Sequence, residues 1–122
     1  MVPHNPLSYP RLVDLPKTAE ERFVALECGR LIAPEGPIPL PGVTHCRLAQ
    51  LSPALLRDLA PTTVVMPLFA AVHDALTMVE RLEALGYTGR ILVIAPHLPR
   101  PQLVERELRA AGPGPRLQLV SP

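Results

Sequence analysis

Thr62-Thr-Val-Val-Met66, Asp74-Ala-Leu-Thr-Met-Val-Glu-Arg-Leu82 and Arg90-Ile-Leu-Val-Ile-Ala95 follow one another as strand, helix and strand signals. The first and third are β-branched or apolar without alternation, the composition of strands covered on both faces. Between them Ala75, Met78, Val79, Leu82 and Leu85 recur at helical spacing, Thr77, Glu80, Arg81 and Glu83 occupy the other side, and Gly86 supplies the stop. Pro67 ends the first strand because it has no N–H to give to a ladder. Two buried strands joined through a helix predict a parallel pair, and with it an α/β domain.

Downstream, Pro101 to Ala111 reads as a helix with proline in its first turn and Gly112 after its end, and Arg116 to Val120 as a last strand. Upstream, Ser52-Pro53 opens a helix that ends near Ala60-Pro61, with the Ser52 hydroxyl as N-cap. Thr44 to Leu48 reads as a strand, and Arg30-Leu-Ile-Ala33 as a short one closed by Pro34, with a proline-rich loop from Gly36 to Gly42 between them. Thr18-Ala-Glu-Glu21 has the capping-box pattern and predicts a helix through Glu27, although Phe23-Val-Ala-Leu26 reads equally well as a strand. The resulting order, β-β-α-β-α-β-α-β, implies a mostly parallel five-stranded sheet with helices on both faces and ligands gathering at the carboxyl ends of the strands. Residues 1–16 hold four prolines and little periodicity, so they form an irregular arm that wraps the domain or moves freely; residues 17–122 make the domain itself.

The passage from Val64 to Val93 resembles the middle of a response-regulator receiver domain. In that family a strand ending in a phospho-accepting Asp is followed by a helix and then by a strand ending in Thr or Ser. Here Asp74-Ala-Leu-Thr-Met-Val-Glu-Arg-Leu82 and Gly86-Tyr-Thr-Gly-Arg-Ile-Leu-Val-Ile-Ala95 fall in that order. The resemblance implies a flavodoxin-like, three-layer domain in which the first crossover helix is replaced by the proline-rich loop. It also implies that the switch groups are missing. Pro67 stands at the position of the phospho-acceptor, Ala95 at that of the hydroxyl, Ser121-Pro122 at that of the Lys-Pro closing the last strand, and Pro34-Glu35 at that of the acidic pair that holds Mg²⁺. Such a domain is a non-phosphorylatable pseudo-receiver, expected to serve bacterial signalling as a protein-interaction or dimerisation module rather than as an enzyme. Its expected partner is another protein or itself, a homodimer first.

The residues themselves offer one competing constellation. Glu35, His73, Asp74 and His97 each follow a predicted strand end, where imidazole and carboxylate together can bind a small molecule or a transition metal, or carry out acid–base chemistry. Beside that reading stand simpler ones: Asp74 as the N-cap of the following helix, His73 and His97 as loop residues, and no His-x-x-x-His spacing to hold a metal. His45-Cys46 does not make a thiol–base pair, since neighbours on a strand point to opposite faces. The chain has no Gly-x-Ser-x-Gly elbow, no GxGxxG and no phosphate-cradling Gly-Lys-Ser/Thr.

With 122 residues, 48% hydrophobic and 19% charged, one globular domain is expected. Twelve Lys+Arg against 11 Asp+Glu, mixed along the chain, leave no basic patch for nucleic acid or an anionic membrane. The start, Met1-Val-Pro-His-Asn-Pro6, carries no visible secretion signal, which makes the cytoplasm the expected location. Cys28 and Cys46 are expected to be small core residues, and no cofactor is called for.

Overall fold

The structure is a computed structural model and describes residues 9–33, 35–70 and 73–122. Among the described residues there are five strands and three α-helices, alternating from β2 onward: β1 Phe23–Leu26, β2 Val43–Cys46, α1 Pro53–Leu59, β3 Thr63–Pro67, α2 Ala75–Ala84, β4 Arg90–Ile94, α3 Pro101–Ala110 and β5 Leu117–Val120. Every strand pairing is parallel, in the order β2-β1-β3-β4-β5, which is that of flavodoxin-like α/β domains. Among the described residues no helix is long and apolar enough to cross a membrane.

The sequence left Phe23–Leu26 between helix and strand, and it is a strand. All four residues are buried, and β1 lies between β2 and β3, where both faces are covered and only a continuous apolar run fits. The capping-box residues still meet: the Thr18 N–H donates to Glu21 Oε2 at 2.9 Å. They close a turn instead of a helix, because Glu21 also pairs with Arg90 at 2.9 Å and the Arg22 carbonyl accepts from the N–H groups of Thr62 and Thr63.

The expected strand at Arg30–Ala33 gives way to a 3₁₀ turn, Gly29–Leu31, followed by a single bridge between Ile32 and Ile38. Of Arg30, Leu31, Ile32 and Ala33 only Ile32 is buried, too little apolar surface for an inner strand. Pro34 lies outside the described residues.

Alternation along the strands separates two cores. Val24, Leu26, Val64, Met66, Ile91, Val93, Leu117 and Leu119 face the helices, meeting Leu55, Leu56 and Leu59 of α1, Met78, Val79 and Leu82 of α2, and Leu108 of α3. Phe23, Ala25, Val65, Leu92, Ile94 and Val120 face the opposite way. That second face is covered not by helices, as expected, but by Leu12 from the arm and by Cys28, Ile32, Ile38 and Leu40 from the β1–β2 connection. A segment punctuated by Gly29, Gly36, Pro37, Pro39, Pro41 and Gly42 has too few helix-forming residues and free N–H groups to build a helix. Its apolar side chains nonetheless supply the third layer.

The arm from Tyr9 onward belongs to the fold. Arg11 pairs with Ser121 in a parallel bridge, the Ser121 N–H donates to the Pro10 carbonyl and the Leu12 N–H to the Ser121 carbonyl, both at 2.8 Å. Leu12 is thereby carried into the core with no exposed surface.

Candidate functional site

In a parallel sheet of this order the crevice for ligands opens at the carboxyl edge, beside β1 and β3, where the chain switches direction across the sheet. Pro67 is the last residue of β3 and is buried; Ala95 follows β4, fully buried; Ser121 follows β5, half-buried. Across this edge lies the arm, with the Tyr9 hydroxyl donating to the Ala95 carbonyl at 3.1 Å and standing against the Pro96 carbonyl as well. Two of the three strand ends thus present ring or methyl carbon, and the chain's own phenol occupies the space above β4.

Glu35 does not stand at a strand end. Because β1 ends at Leu26, Glu35 is an exposed residue of the β1–β2 connection. The acidic residue beside the end of β1 is Glu27, not the last residue of a helix as the capping-box pattern predicts. The signal that could have found it is the apolar run Phe23-Val-Ala-Leu26 passing through Glu27 and Cys28 directly into Gly29.

Glu27 holds φ = +56°, left-handed backbone that costs a residue with a Cβ about 1–2 kcal/mol. Two bonds offset it: its N–H donates to the Cys46 carbonyl at 2.9 Å, and its Oε2 accepts the Leu48 N–H at 2.9 Å. Glu27, His45, Cys46, Arg47 and Gln50 line a cavity of about 400 Å³ over the ends of β1 and β2. Its thiols are poor nucleophiles. Burial, and then the Glu27 charge, push Cys28 up to about 12 and raise Cys46 in the same way. The two sulfurs belong to opposite faces of the sheet, Cys28 with Ile32 and Cys46 with Leu26, and both are free.

His73, Asp74 and His97 go to different places. His73 is half-buried and lines a shallow cavity with Leu48, Thr77, Glu80 and Arg81. Asp74 is the N-cap of α2, its Oδ1 accepting the Thr77 N–H at 2.9 Å; this bond holds its carboxyl below the usual range. His97 is exposed after β4. Among the described residues no three His, Cys, Asp or Glu side chains gather closely enough to hold a metal ion.

Phe69, in the loop after β3, is 72% exposed, the most open large apolar side chain among the described residues. Its backbone is pinned: Phe69 forms an antiparallel bridge with Asp74, the Ala70 N–H donates to the His73 carbonyl at 3.0 Å and the Ala75 N–H to the Leu68 carbonyl at 3.1 Å. Beside it a groove of about 270 Å³ runs between α2 and α3, lined by Leu68, Leu76, Leu98, Val104 and Leu108, with Asp74 and Glu107 at its margin. Periodicity assigned Leu76 and Val104 no particular role, and only the approach of the two helices makes them one surface.

No protein-family model, curated protein or solved structure matches this chain.

Proposed function

We propose that the chain is a receiver-like interaction domain that takes no phosphoryl group and works by binding protein. The observation that carries this reading is Phe69, a large aromatic side chain held open to solvent by a backbone bridge to Asp74 at the lip of an apolar groove. Aromatic side chains are enriched in protein interfaces, and exposed apolar patches rimmed by polar residues mark interaction sites. The apolar strand ends support the second half of the proposal. Pro67 offers no carboxylate, Ala95 no hydroxyl, and the Ala95 carbonyl is already engaged by Tyr9. An edge fastened in this way suits a fixed surface rather than a switch.

The test is size-exclusion chromatography with light scattering and intact mass, on the protein alone and with acetyl phosphate and Mg²⁺. The expected result is an unchanged assembly and no added phosphoryl mass. A particle of twice 13.3 kDa identifies the partner as a second copy, whereas one of 13.3 kDa rules out stable self-association and leaves a different protein as the expected partner. A phosphoryl adduct, or a change of assembly on adding the donor, overturns the reading.

A further inference from the structure

The groove beside Phe69 has a chemical bias that narrows its occupant. Its floor is aliphatic, from Leu68, Leu76, Leu98, Val104 and Leu108, and among the described residues the charged ones lining it are Asp74 and Glu107, both acidic and both exposed. Neither takes part in an ion pair among the described residues, whose three are Arg90–Glu21, Arg109–Glu105 and Arg116–Glu83. Asp74 commits one oxygen to capping α2 through the Thr77 N–H, which fixes its carboxylate at the margin while the other oxygen keeps its capacity to accept.

We propose that this groove, between α2 and α3, is the docking site for a short segment of another protein that carries bulky apolar residues flanked by Lys or Arg. This deepens the interaction-domain reading and rests on it. The apolar residues would enter beside Phe69, and the basic ones would meet Asp74 and Glu107. A second copy of the chain is the poorer occupant. A two-fold axis at the groove would bring the acidic margins of both copies into one interface with no basic residue among the described lining to pair with them. With about 270 Å³ of groove and one aromatic lip, binding is short-lived and salt-sensitive, since exposed carboxylates are screened within about 8 Å at physiological ionic strength.

The experiment is selection of random twelve-residue peptides displayed on phage against the immobilised full chain. Individual peptides are then titrated into ¹⁵N-labelled protein. The expected outcome is enrichment of sequences with apolar residues next to Lys or Arg, and amide shifts centred on Leu68, Phe69, Leu98 and Leu108. Phe69→Ala should weaken these peptides about tenfold or more, the loss typical of an anchor side chain. Glu107→Lys should weaken them as well, and both positions are exposed enough for the variants to keep the wild-type circular dichroism. Enriched sequences that are acidic or uncharged, binding indifferent to Phe69→Ala, or no enrichment at all would overturn the proposal. A dimer that Phe69→Ala dissolves, with no peptide selected, also overturns it but leaves the interaction-domain reading standing. A phosphoryl adduct in the earlier test removes that reading without touching the groove.

Discussion

The phenol of Tyr9 donates its proton to the carbonyl of Ala95, 3.1 Å away, and so fastens the amino-terminal segment to the end of β4 across most of the chain's length. Leu12 packs beneath the sheet in the third layer while Tyr9 packs against the helix-side core, so the segment from Tyr9 to Leu12 is held on both sides of the sheet.

The arm should therefore unfold with the domain. Tyr9→Phe keeps the ring and removes the hydroxyl, and should lower stability in urea by about 1 kcal/mol, the usual net worth of one hydrogen bond. Leu12→Ala should cost about 2–5 kcal/mol, as for a fully buried leucine. A Leu12→Ala midpoint equal to wild type would mean that the arm merely rests on the surface.

Asp74 makes stability depend on pH on the acid side. Its carboxyl is held down chiefly by the Thr77 N–H, so its folded value lies below the unfolded value of about 3.9. The stabilisation is present above the unfolded value and is lost as pH falls through the folded one. Thermal melts from pH 7 downward should show this part of the loss in wild type. Asp74→Ala, which lacks the cap at every pH, should melt lower at pH 7 and fall less steeply below pH 4. Parallel curves for the two proteins would refute the assignment.

The thiols should be slow to react. With Cys28 pushed up to about 12, iodoacetamide at pH 8 should leave it unmodified in the folded protein and alkylate it once urea is added, as read by peptide mass. The same shift acts on stability from the alkaline side. The unfolded thiol ionises near 8.5 and the folded one far higher, so stability is full below about 8.5 and declines as pH rises towards 12. Cys28→Ala should flatten that part of the decline. Rapid alkylation of Cys28 in the native state would show that the thiol is open to solvent.

Gly89 tolerates no side chain. A Cβ there would lie 2.9 Å from the Thr62 carbonyl oxygen and closer still to the phenol of Tyr87, whose hydroxyl is tied to the Arg90 carbonyl at 2.9 Å. Gly89→Ala should destabilise the protein by about 1–3 kcal/mol, the range for overpacking a filled space. Chemical denaturation of Gly89→Ala, with Thr88→Ala as the neighbouring control, checks it.

The continuous apolar runs at Thr63–Pro67 and Arg90–Ile94, the helical spacing from Ala75 to Leu82, and the caps at Ser52 and Asp74 were legible because each depends on residues near in sequence. Those features determined an α/β domain with a parallel sheet, and they put Pro67, Ala95 and Ser121 at strand ends. Four-residue β1 was not legible. Thr18–Glu21 makes its local capping bond in either structure, and only pairing with β2 on one side and β3 on the other decides for a strand. The misplacement of β1 moved the expected carboxylate from Glu27 to Glu35. Likewise, the cover of the second face by Leu12, Ile32 and Ile38, and the groove that joins Leu76 of α2 to Val104 of α3 beside Phe69, exist only once distant segments meet. Local propensity and periodicity are properties of neighbours along the chain and belong to the sequence alone. Burial between layers and the convergence of side chains from separate elements are set by contacts that no local pattern records, and only the tertiary structure decides them.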